Sequence, residues 1–268
     1  MKFSLKKIAT ITTVASSLLL TACGSNEEST TLKVGAMAGP EADVVKIAQA
    51  VAKEKYNLDV EVITFTDYVT PNRALEEKSI DVNAFQHRPY LDAEIAQRGY
   101  DITAVANTFV YPIAAYSKTI KSVDELKQGN KIAVPNDPTN LGRSLMLLEQ
   151  QGIISLKPGV GIKSTELDIT ANPYGVEIVK LEAALLARNL EDVSLAVINT
   201  TFATKIGLSP TKDGVFVEDK ESPYVNLIVS RIENQDDEKV QQFIAAFQTE
   251  AVYQEAQKLF NDAIVKGW

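Results

Sequence analysis

Residues 32–65 have the sequence LKVGAMAGPEADVVKIAQAVAKEKYNLDVEVITF, in which a strand pattern, a helix pattern and a second strand pattern follow one another. Residues 32–36 form a short apolar run that predicts a strand, and residues 60–65 alternate with the period of two that a strand requires. Between them, one face of a helix is predicted by apolar residues at the i, i+3, i+4, i+7 spacing: Val44, Ile47, Ala48 and Val51. Strands that alternate with helices predict an α/β fold.

The same alternation continues along the chain. Further strands are predicted over residues 80–85, 132–134, 176–179 and 195–198. Helices are predicted to begin at Pro71, Pro89 and Asp137-Pro138, because proline is favoured in the first helical turn, and Gly99 is predicted to end the second of them. A capping box at residues 122–125 predicts one more short helix. A last helix is predicted near the C-terminus by Val240, Phe243, Ile244 and Phe247.

Two long extended passages, residues 102–116 and 224–229, predict crossings between two lobes. The first lobe would comprise residues 32–111 and 230–268, and the second would comprise residues 112–229. A single doubly wound domain is the alternative. Ligands of α/β folds lie outside the carboxyl ends of the strands, so a two-lobed chain is expected to bind its ligand in the cleft between the lobes.

The N-terminal segment predicts an export signal and a tether rather than part of the fold. Residues 8–20 are mostly apolar but too short for a membrane-spanning helix, which needs about 20 residues. Small residues precede Cys23, the only cysteine of the chain, as they do where bacterial lipoproteins are cut and acylated. We therefore predict a signal peptide over residues 1–22, a lipid on Cys23 and a polar tether over residues 23–31. The alternative is a signal peptide followed by an unrelated cysteine.

Composition and missing motifs argue against several classes of function. The net charge of −8 argues against nucleic-acid binding, which needs a basic surface. One histidine and one cysteine cannot supply the three or four ligands of an ordinary zinc site. Neither a nucleophile elbow nor a phosphate- or dinucleotide-binding glycine motif follows a predicted strand. We predict a binding protein without cofactor or metal; an envelope enzyme that uses His87 as a base is the alternative.

Polar and aromatic side chains cluster after the predicted strands, where a cleft ligand would be met. Arg143, in the first turns of a helix, is suited to bind a carboxylate, and Asn199 and Asn226 can accept hydrogen bonds from an ammonium group. Rings would pack against an aliphatic or thioether tail, and they are offered by Tyr68, Phe85, His87 and Tyr90. These types together suit a zwitterion with a soft side chain.

Each of these residues also has a purely structural interpretation. Phe85 is a candidate core residue, and His87 could be a hydrogen-bonded structural histidine. Arg143 could instead pair with a nearby acid such as Glu149. The residue types alone therefore predict a small polar ligand and do not decide between these interpretations.

Six motifs in the same regions resemble the methionine-binding lipoproteins of the NlpA family. They are YVTPN at 68–72, DVNAFQHRPYLD at 81–92, NTFVYPIA at 107–114, VPNDPTNLGRSL at 134–145, LAVINTT at 195–201 and VEDKESPYVNLIV at 217–229. The resemblance spans nearly all of the chain after the predicted signal peptide, to the final VKGW at 265–268.

The resemblance implies a two-lobed, periplasmic-binding-protein-like (type II) fold that is lipid-anchored in the cell envelope and faces the periplasm or exterior. It implies that the ligand is L-methionine and that the partners are the permease and ATPase subunits of an ABC importer. Arg143 would hold the ligand carboxylate, and Asn199 and Asn226 would fix the head group. The side-chain pocket would be walled by Tyr68, Phe85, His87 and Tyr90. Another amino acid or a short methionine-containing peptide is the alternative ligand.

Overall fold

The computed structural model describes residues 31–219 and 222–268. The predicted signal peptide over residues 1–22, the lipidation site Cys23 and all of the tether except Thr31 lie outside the described residues. Among the described residues, no helix is both long enough and apolar enough to cross a membrane.

The strands in chain order are β1 (Leu32–Met37), β2 (Val60–Phe65), β3 (Val82–His87), β4 (Ile102–Val110), β5 (Ala114–Tyr116), β6 (Lys131–Pro135), β7 (Ser155–Leu156), β8 (Ile169–Ala171), β9 (Glu177–Leu181), β10 (Leu195–Ile198), β11 (Phe216–Val217), β12 (Val225–Arg231) and β13 (Val265–Lys266).

The α-helices in chain order are α1 (Pro40–Tyr56), α2 (Thr70–Glu76), α3 (Arg88–Arg98), α4 (Pro138–Gln150), α5 (Ala183–Leu186), α6 (Thr200–Ala203), α7 (Pro210–Asp213), α8 (Glu238–Phe247) and α9 (Glu250–Leu259). Short 3-10 helices cover Val123–Glu125, Gly161–Lys163, Glu166–Asp168, Thr204–Ile206 and Ile232–Asn234.

The predicted strand–helix–strand unit at the start of the described chain is confirmed. β1 and β2 pair in parallel with Leu32 opposite Val60 and Met37 opposite Phe65. α1 covers these strands with the apolar face that its spacing predicts, of which Val44 and Ala48 are fully buried. The helix ends at Asn57, which has the left-handed conformation that often terminates a helix.

Two sheets form the framework of the two-lobed α/β fold. The first has six strands in the order β13-β4-β12-β3-β1-β2, with α1, α8 and α9 packed on one face. The second has five strands in the order β11-β5-β10-β6-β9, and α4 contributes to its core. A separate two-stranded sheet pairs β7 with β8. Each large sheet has its own buried apolar cluster, as expected for two lobes.

The predicted crossing at residues 102–116 is confirmed, because β4 pairs within the first sheet and β5 within the second. The predicted return crossing at residues 224–229 is wrong. β12 is hydrogen-bonded to β3 and β4 along its length, so it is a central strand of the first sheet. The predicted boundary after residue 229 falls inside this strand, and the return passage lies before Val225. An extended apolar run does not distinguish a crossing from a buried strand, since both lack a helical period.

The capping box predicted at residues 122–125 is also wrong. Ser122 makes no side-chain cap hydrogen bond at the short helix Val123–Glu125. A capping box is formed instead by Thr165 and Asp168, where the Asp168 carboxylate accepts hydrogen bonds from Thr165 N and Oγ1 at 2.9 Å each. The spacing permits this motif but does not guarantee it, because the backbone must also turn the serine toward the helix.

Candidate functional site

A cavity lies between the two sheets, lined by residues of both. All seven residues that the sequence proposed for ligand binding line it. The complete lining is Tyr68, Phe85, Gln86, His87, Tyr90, Tyr111, Asn140, Arg143, Asn199, Thr200, Thr201 and Asn226.

Strand ends explain why these distant residues meet. Phe85 and His87 lie at the C-terminal end of β3, and Asn199 directly follows β10. Asn226 lies on β12 opposite His87 in the antiparallel register. Because β3 and β10 are inner strands of different sheets, their carboxyl ends can face one cavity from two sides.

One wall of the cavity is aromatic. The ring centroids of Tyr68, Phe85 and Tyr90 lie 5.9–6.1 Å from one another, and Tyr68 lies 4.9 Å from Phe202 of the second sheet's layer. The Tyr90 hydroxyl donates to the Tyr68 backbone carbonyl at 3.0 Å, which anchors the Tyr90 ring to the segment that carries Tyr68. This wall offers an apolar, polarisable surface.

His87 is a neutral residue of the lining, and each of its two ring nitrogens has a hydrogen-bond partner. Its Nδ1 accepts a hydrogen bond from the Tyr90 backbone N–H at 3.1 Å, which caps the start of α3, and its Nε2 lies 3.3 Å from Asn140 Oδ1. Burial, together with the smaller effect of the positive charge of Arg143, lowers the pKa of His87 from 6.5 to about 3. His87 is therefore both a structural cap and a cavity residue.

Arg143 is buried in the cavity wall, where an acid from a distant segment holds it. Its Nε donates to Glu218 Oε1 at 2.9 Å, its Nη2 donates to Glu218 Oε2, and Nη2 also donates to the Tyr111 carbonyl at 3.0 Å. The guanidinium carbon lies 4.3 Å from the centroid of the Tyr224 ring. Within residues 31–219 and 222–268, no hydrogen-bond acceptor is paired with Nη1.

The proposed structural partner of Arg143, Glu149, is not the one observed. Glu149 accepts a hydrogen bond from the Leu156 backbone N–H at 2.7 Å and braces the turn after α4. Glu218 takes the pairing role, although nothing in its sequence neighbourhood distinguishes it from the other acids between β11 and β12.

The two predicted amides present acceptors. Asn199 Nδ2 donates to Asn140 Oδ1 at 2.8 Å, whereas Asn199 Oδ1 is buried and has no hydrogen-bond partner in the described part of the chain. Asn226 Nδ2 donates to the Phe85 carbonyl at 3.0 Å, so Oδ1 is the acceptor that Asn226 can offer. Both arrangements suit a ligand that donates hydrogen bonds.

A further set of contacts joins the two sheets beside the cavity. The Tyr68 hydroxyl donates to Thr201 Oγ1 at 3.0 Å, and Thr201 Oγ1 donates to Glu41 Oε1. Glu41 is buried at the start of α1, and its Oε2 has no partner among the described residues. Burial raises the pKa of Glu41 to about 7, although the Thr201 hydrogen bond and the charge of Lys205 act in the opposite direction.

Sequence reasoning did not select five residues of the lining: Gln86, Tyr111, Asn140, Thr200 and Thr201. All five lie in segments that it placed at the mouth of the cleft, so adjacency to a predicted strand end was the available signal. It could not decide which neighbours point inward. The side chains of three or more His, Cys, Asp or Glu residues do not converge as a metal site anywhere in the described ranges.

Residues 32–268 match the family model described as NlpA lipoprotein. The chain belongs to the NlpA lipoprotein family. The resemblance inferred from the six motifs is thereby confirmed, and it extends over both sheets of the NlpA fold rather than over the cavity alone.

Relatives within the NlpA family are close. The chain is 59% identical over 269 residues, covering 100% of both chains, to a Vibrio cholerae protein named as a probable D-methionine-binding lipoprotein MetQ. A solved nutrient-binding protein from Burkholderia cenocepacia, described as bound to methionine, is 46% identical with a TM-score of 0.86, over 88% of this chain and 100% of that one. A solved periplasmic substrate-binding protein of an ABC transporter from Coxiella burnetii is 45% identical with a TM-score of 0.85, again over 88% and 100%. These likenesses confirm the two-lobed substrate-binding fold.

Proposed function

We propose that this chain captures methionine in the cavity between its lobes and delivers it to an ABC-type importer, as a lipid-anchored protein of the cell envelope. One observation carries the proposal: a single buried cavity combines a guanidinium, an unpaired amide oxygen and a wall of aromatic rings. A zwitterion with an apolar tail matches these three features together.

The head group would be held by charge and by acceptors. Arg143 would bind the carboxylate through Nη1, because Nε and Nη2 are already held by Glu218 and Tyr111. Asn199 Oδ1 and Asn226 Oδ1 would accept hydrogen bonds from the ammonium group. Filling the buried Asn199 acceptor would remove a cost of about 1–3 kcal/mol that an unpaired buried polar atom carries.

The thioether tail would pack against Tyr68, Phe85 and Tyr90, with His87 at the border between the tail and the head group. Sulfur–ring contacts stabilise a bound thioether by roughly 0.3–1.5 kcal/mol each. A neutral His87 would add no charge near the sulfur, which suits an apolar tail better than an imidazolium would.

Capture would proceed by closure of the lobes around the ligand. Hydrogen bonds already link the two lobes beside the cavity, among them Tyr68 with Thr201, Thr201 with Glu41, and His87 with Asn140. Methionine would add contacts from Arg143 on one side and Asn226 on the other, and these exist together only in the closed form. The ligand would therefore favour closure by its differential contacts. The passages between β4 and β5 and between β11 and β12 would act as the hinges.

The proposed function also involves a lipid anchor and transporter partners. A lipid on Cys23 would hold the protein at a membrane, facing the periplasm or exterior, while a permease and an ATPase would take the ligand and supply the energy. Binding without chemical turnover is the expected activity. Both ring nitrogens of His87 are engaged and its pKa is lowered to about 3, so it is poorly suited to act as a general base near neutral pH.

Native mass spectrometry of freshly purified protein, with identification of the released ligand, tests the proposal directly. We expect one methionine for each chain, and calorimetric titration with the L and D forms would then give the stereochemical preference. A different amino acid or a peptide in the released fraction would replace methionine as the cargo. Turnover of an added ester or amide that disappears in His87→Ala would instead support an enzyme.

A further inference from the structure

The carboxylate of Asp137 lies behind the cavity wall and fixes the orientation of one amide in it. Asp137 is not part of the cavity lining, but its Oδ1 and Oδ2 accept hydrogen bonds from Asn140 Nδ2 at 3.1 and 3.0 Å. An ionised carboxylate can only accept, so the NH₂ group of Asn140 must face Asp137. The carbonyl oxygen of Asn140 therefore faces the opposite way, toward the cavity.

This oxygen in turn orients two cavity residues. Asn140 Oδ1 lies 2.8 Å from Asn199 Nδ2 and 3.3 Å from His87 Nε2, and an oxygen without a proton requires both nitrogens to donate. His87 gives an independent check, because its Nδ1 accepts from the Tyr90 backbone N–H and leaves the proton on Nε2. The polarity inferred from Asp137 agrees with the polarity inferred from Tyr90.

The orientation of Asn140 also determines which atom of Asn199 is available to a ligand. Because Nδ2 points toward Asn140, Oδ1 must point away from it, and this oxygen is the buried acceptor without a partner in the described residues. A buried acceptor disfavours binding of a ligand atom that can only accept a hydrogen bond, and it favours binding of a ligand atom that donates one. Reversing the Asn199 amide would reverse this preference.

We propose that Asp137 is a positioning residue that, through Asn140, sets the amide polarity of Asn199 and so makes the cavity select α-amino acids over the corresponding α-keto acids. The inference rests on the proposed function for the identity of the ligand, and on the hydrogen-bond chain alone for the polarity. Asp137 touches no ligand in this scheme. It specifies the ligand by deciding which end of a neighbouring amide is available.

Asp137→Asn is the informative substitution, because asparagine keeps the oxygen that caps α4, which accepts from the Asn140 backbone N–H at 2.9 Å. It replaces the second oxygen with an NH₂ group, which favours the flipped Asn140 amide. We expect the ratio of affinities for methionine and for its α-keto acid analogue to fall on the order of tenfold or more, as a reversed hydrogen-bond polarity predicts. If Asp137 served only as a helix cap, the substitution would weaken the binding of both ligands equally and leave the ratio of affinities unchanged.

Thr139→Val is the matched control. The Thr139 hydroxyl donates to the same carboxylate, to Oδ1 at 3.0 Å, but does not reach the Asn140 side chain. We expect this variant to keep the wild-type ratio. An unchanged ratio in Asp137→Asn, or an equal fall in Thr139→Val, would overturn the assignment.

A second readout does not depend on methionine. His87 is the only histidine of the chain, so its ¹⁵N resonances can be assigned without ambiguity. We expect a proton on Nε2 in the wild type, held there by the Tyr90 N–H on Nδ1. In Asp137→Asn we expect a shifted Nε2 resonance, because the flipped Asn140 amide no longer offers Oδ1 as the acceptor of that proton. A proton on Nδ1 of His87 in the wild type would refute the inferred directions of the hydrogen bonds that run from Asp137 through Asn140 to His87. If neither methionine nor the keto acid bound, the proposed function would fail, while this measurement would still decide whether Asp137 orients the amides.

Discussion

Arg143 and Glu218, 75 residues apart in the sequence, form a buried ion pair in the wall of the cavity, with Nε 2.9 Å from Oε1. Glu218 Oε2 also accepts a hydrogen bond from the Ile113 backbone N–H at 3.3 Å, at the passage between β4 and β5. The pair therefore connects the helix that carries Arg143 with the backbone where the chain passes between the sheets. The guanidinium is held in place before any ligand arrives, which reduces the entropy lost on binding.

Replacing Arg143 with alanine should weaken methionine binding by about 2–5 kcal/mol, the range for removing one partner of a buried charge pair. Calorimetric titration measures the change. The substitution also leaves the Glu218 carboxylate, whose side chain is 11% exposed, without its cation, so the melting temperature should fall as well.

The double variant Arg143→Ala with Glu218→Gln separates these two effects. Neutralising Glu218 should restore much of the lost thermal stability, because no unpaired buried charge remains. Methionine binding should not return, because the guanidinium is still missing. Wild-type affinity in Arg143→Ala would refute the carboxylate assignment.

Replacing His87 with glutamine should change how stability depends on pH. The unfolded histidine has a pKa near 6.5 and the folded one about 3, so the unfolded chain binds the extra proton between these values. The free energy of unfolding of the wild type, relative to His87→Gln, should be greatest above pH 6.5 and should decrease as the pH falls toward 3. Chemical denaturation across this interval gives the difference. A constant difference would contradict the neutral, buried ring.

Replacing Glu41 with glutamine should produce the opposite trend. Burial raises the pKa of Glu41 from 4.5 to about 7, so the folded chain binds the extra proton between these values. The stability of the wild type relative to Glu41→Gln should be highest below pH 4.5 and should decline as the pH rises through about 7. The total change should be about 3 kcal/mol. Glu54, exposed on the same helix, provides the control substitution.

Replacing Gly142 with alanine should destabilise the second lobe by about 1–3 kcal/mol. A Cβ at this position would lie 2.2 Å from the Ile162 carbonyl oxygen and 2.8 Å from its carbon, and backbone atoms cannot rotate away as a side chain can. Since α4 also carries Asn140 and Arg143, methionine affinity should fall in parallel. Gln150→Ala, at an exposed position of the same helix, should leave both the melting temperature and the affinity near wild type.

Much of the fold could be predicted because its signals are local. The strand over Val60–Phe65 and the helix end at Gly99 follow from a period of two and from a residue suited to the left-handed conformation. The predicted crossing at residues 224–229 is wrong because a local signal does not identify pairing partners. Its sequence indicates an extended chain, but which strands it pairs with depends on β3 and β4, more than a hundred residues earlier.

For the candidate site too, the positions of the residues could be predicted from the sequence, whereas their contacts could not. Strand ends and family motifs placed Phe85, Arg143 and Asn199 at one cavity, and all three line it. Their states could not be predicted from the sequence. Arg143 is ion-paired with Glu218. Asn199 Oδ1 is left as a free acceptor because Asp137 orients Asn140, which in turn accepts from Asn199 Nδ2.

The sequence by itself determined the family, the alternation of strands and helices, and the residue types that meet at the cavity, because these follow from local periodicity and from motifs. Only the tertiary structure decided which carboxylate holds Arg143, which amide oxygen is left unpaired, and why Glu41 and His87 have pKa values shifted in opposite directions. The physical reason is that ion pairing, hydrogen-bond polarity and desolvation depend on distances of a few ångströms between atoms. The sequence separates those atoms by as many as 160 residues.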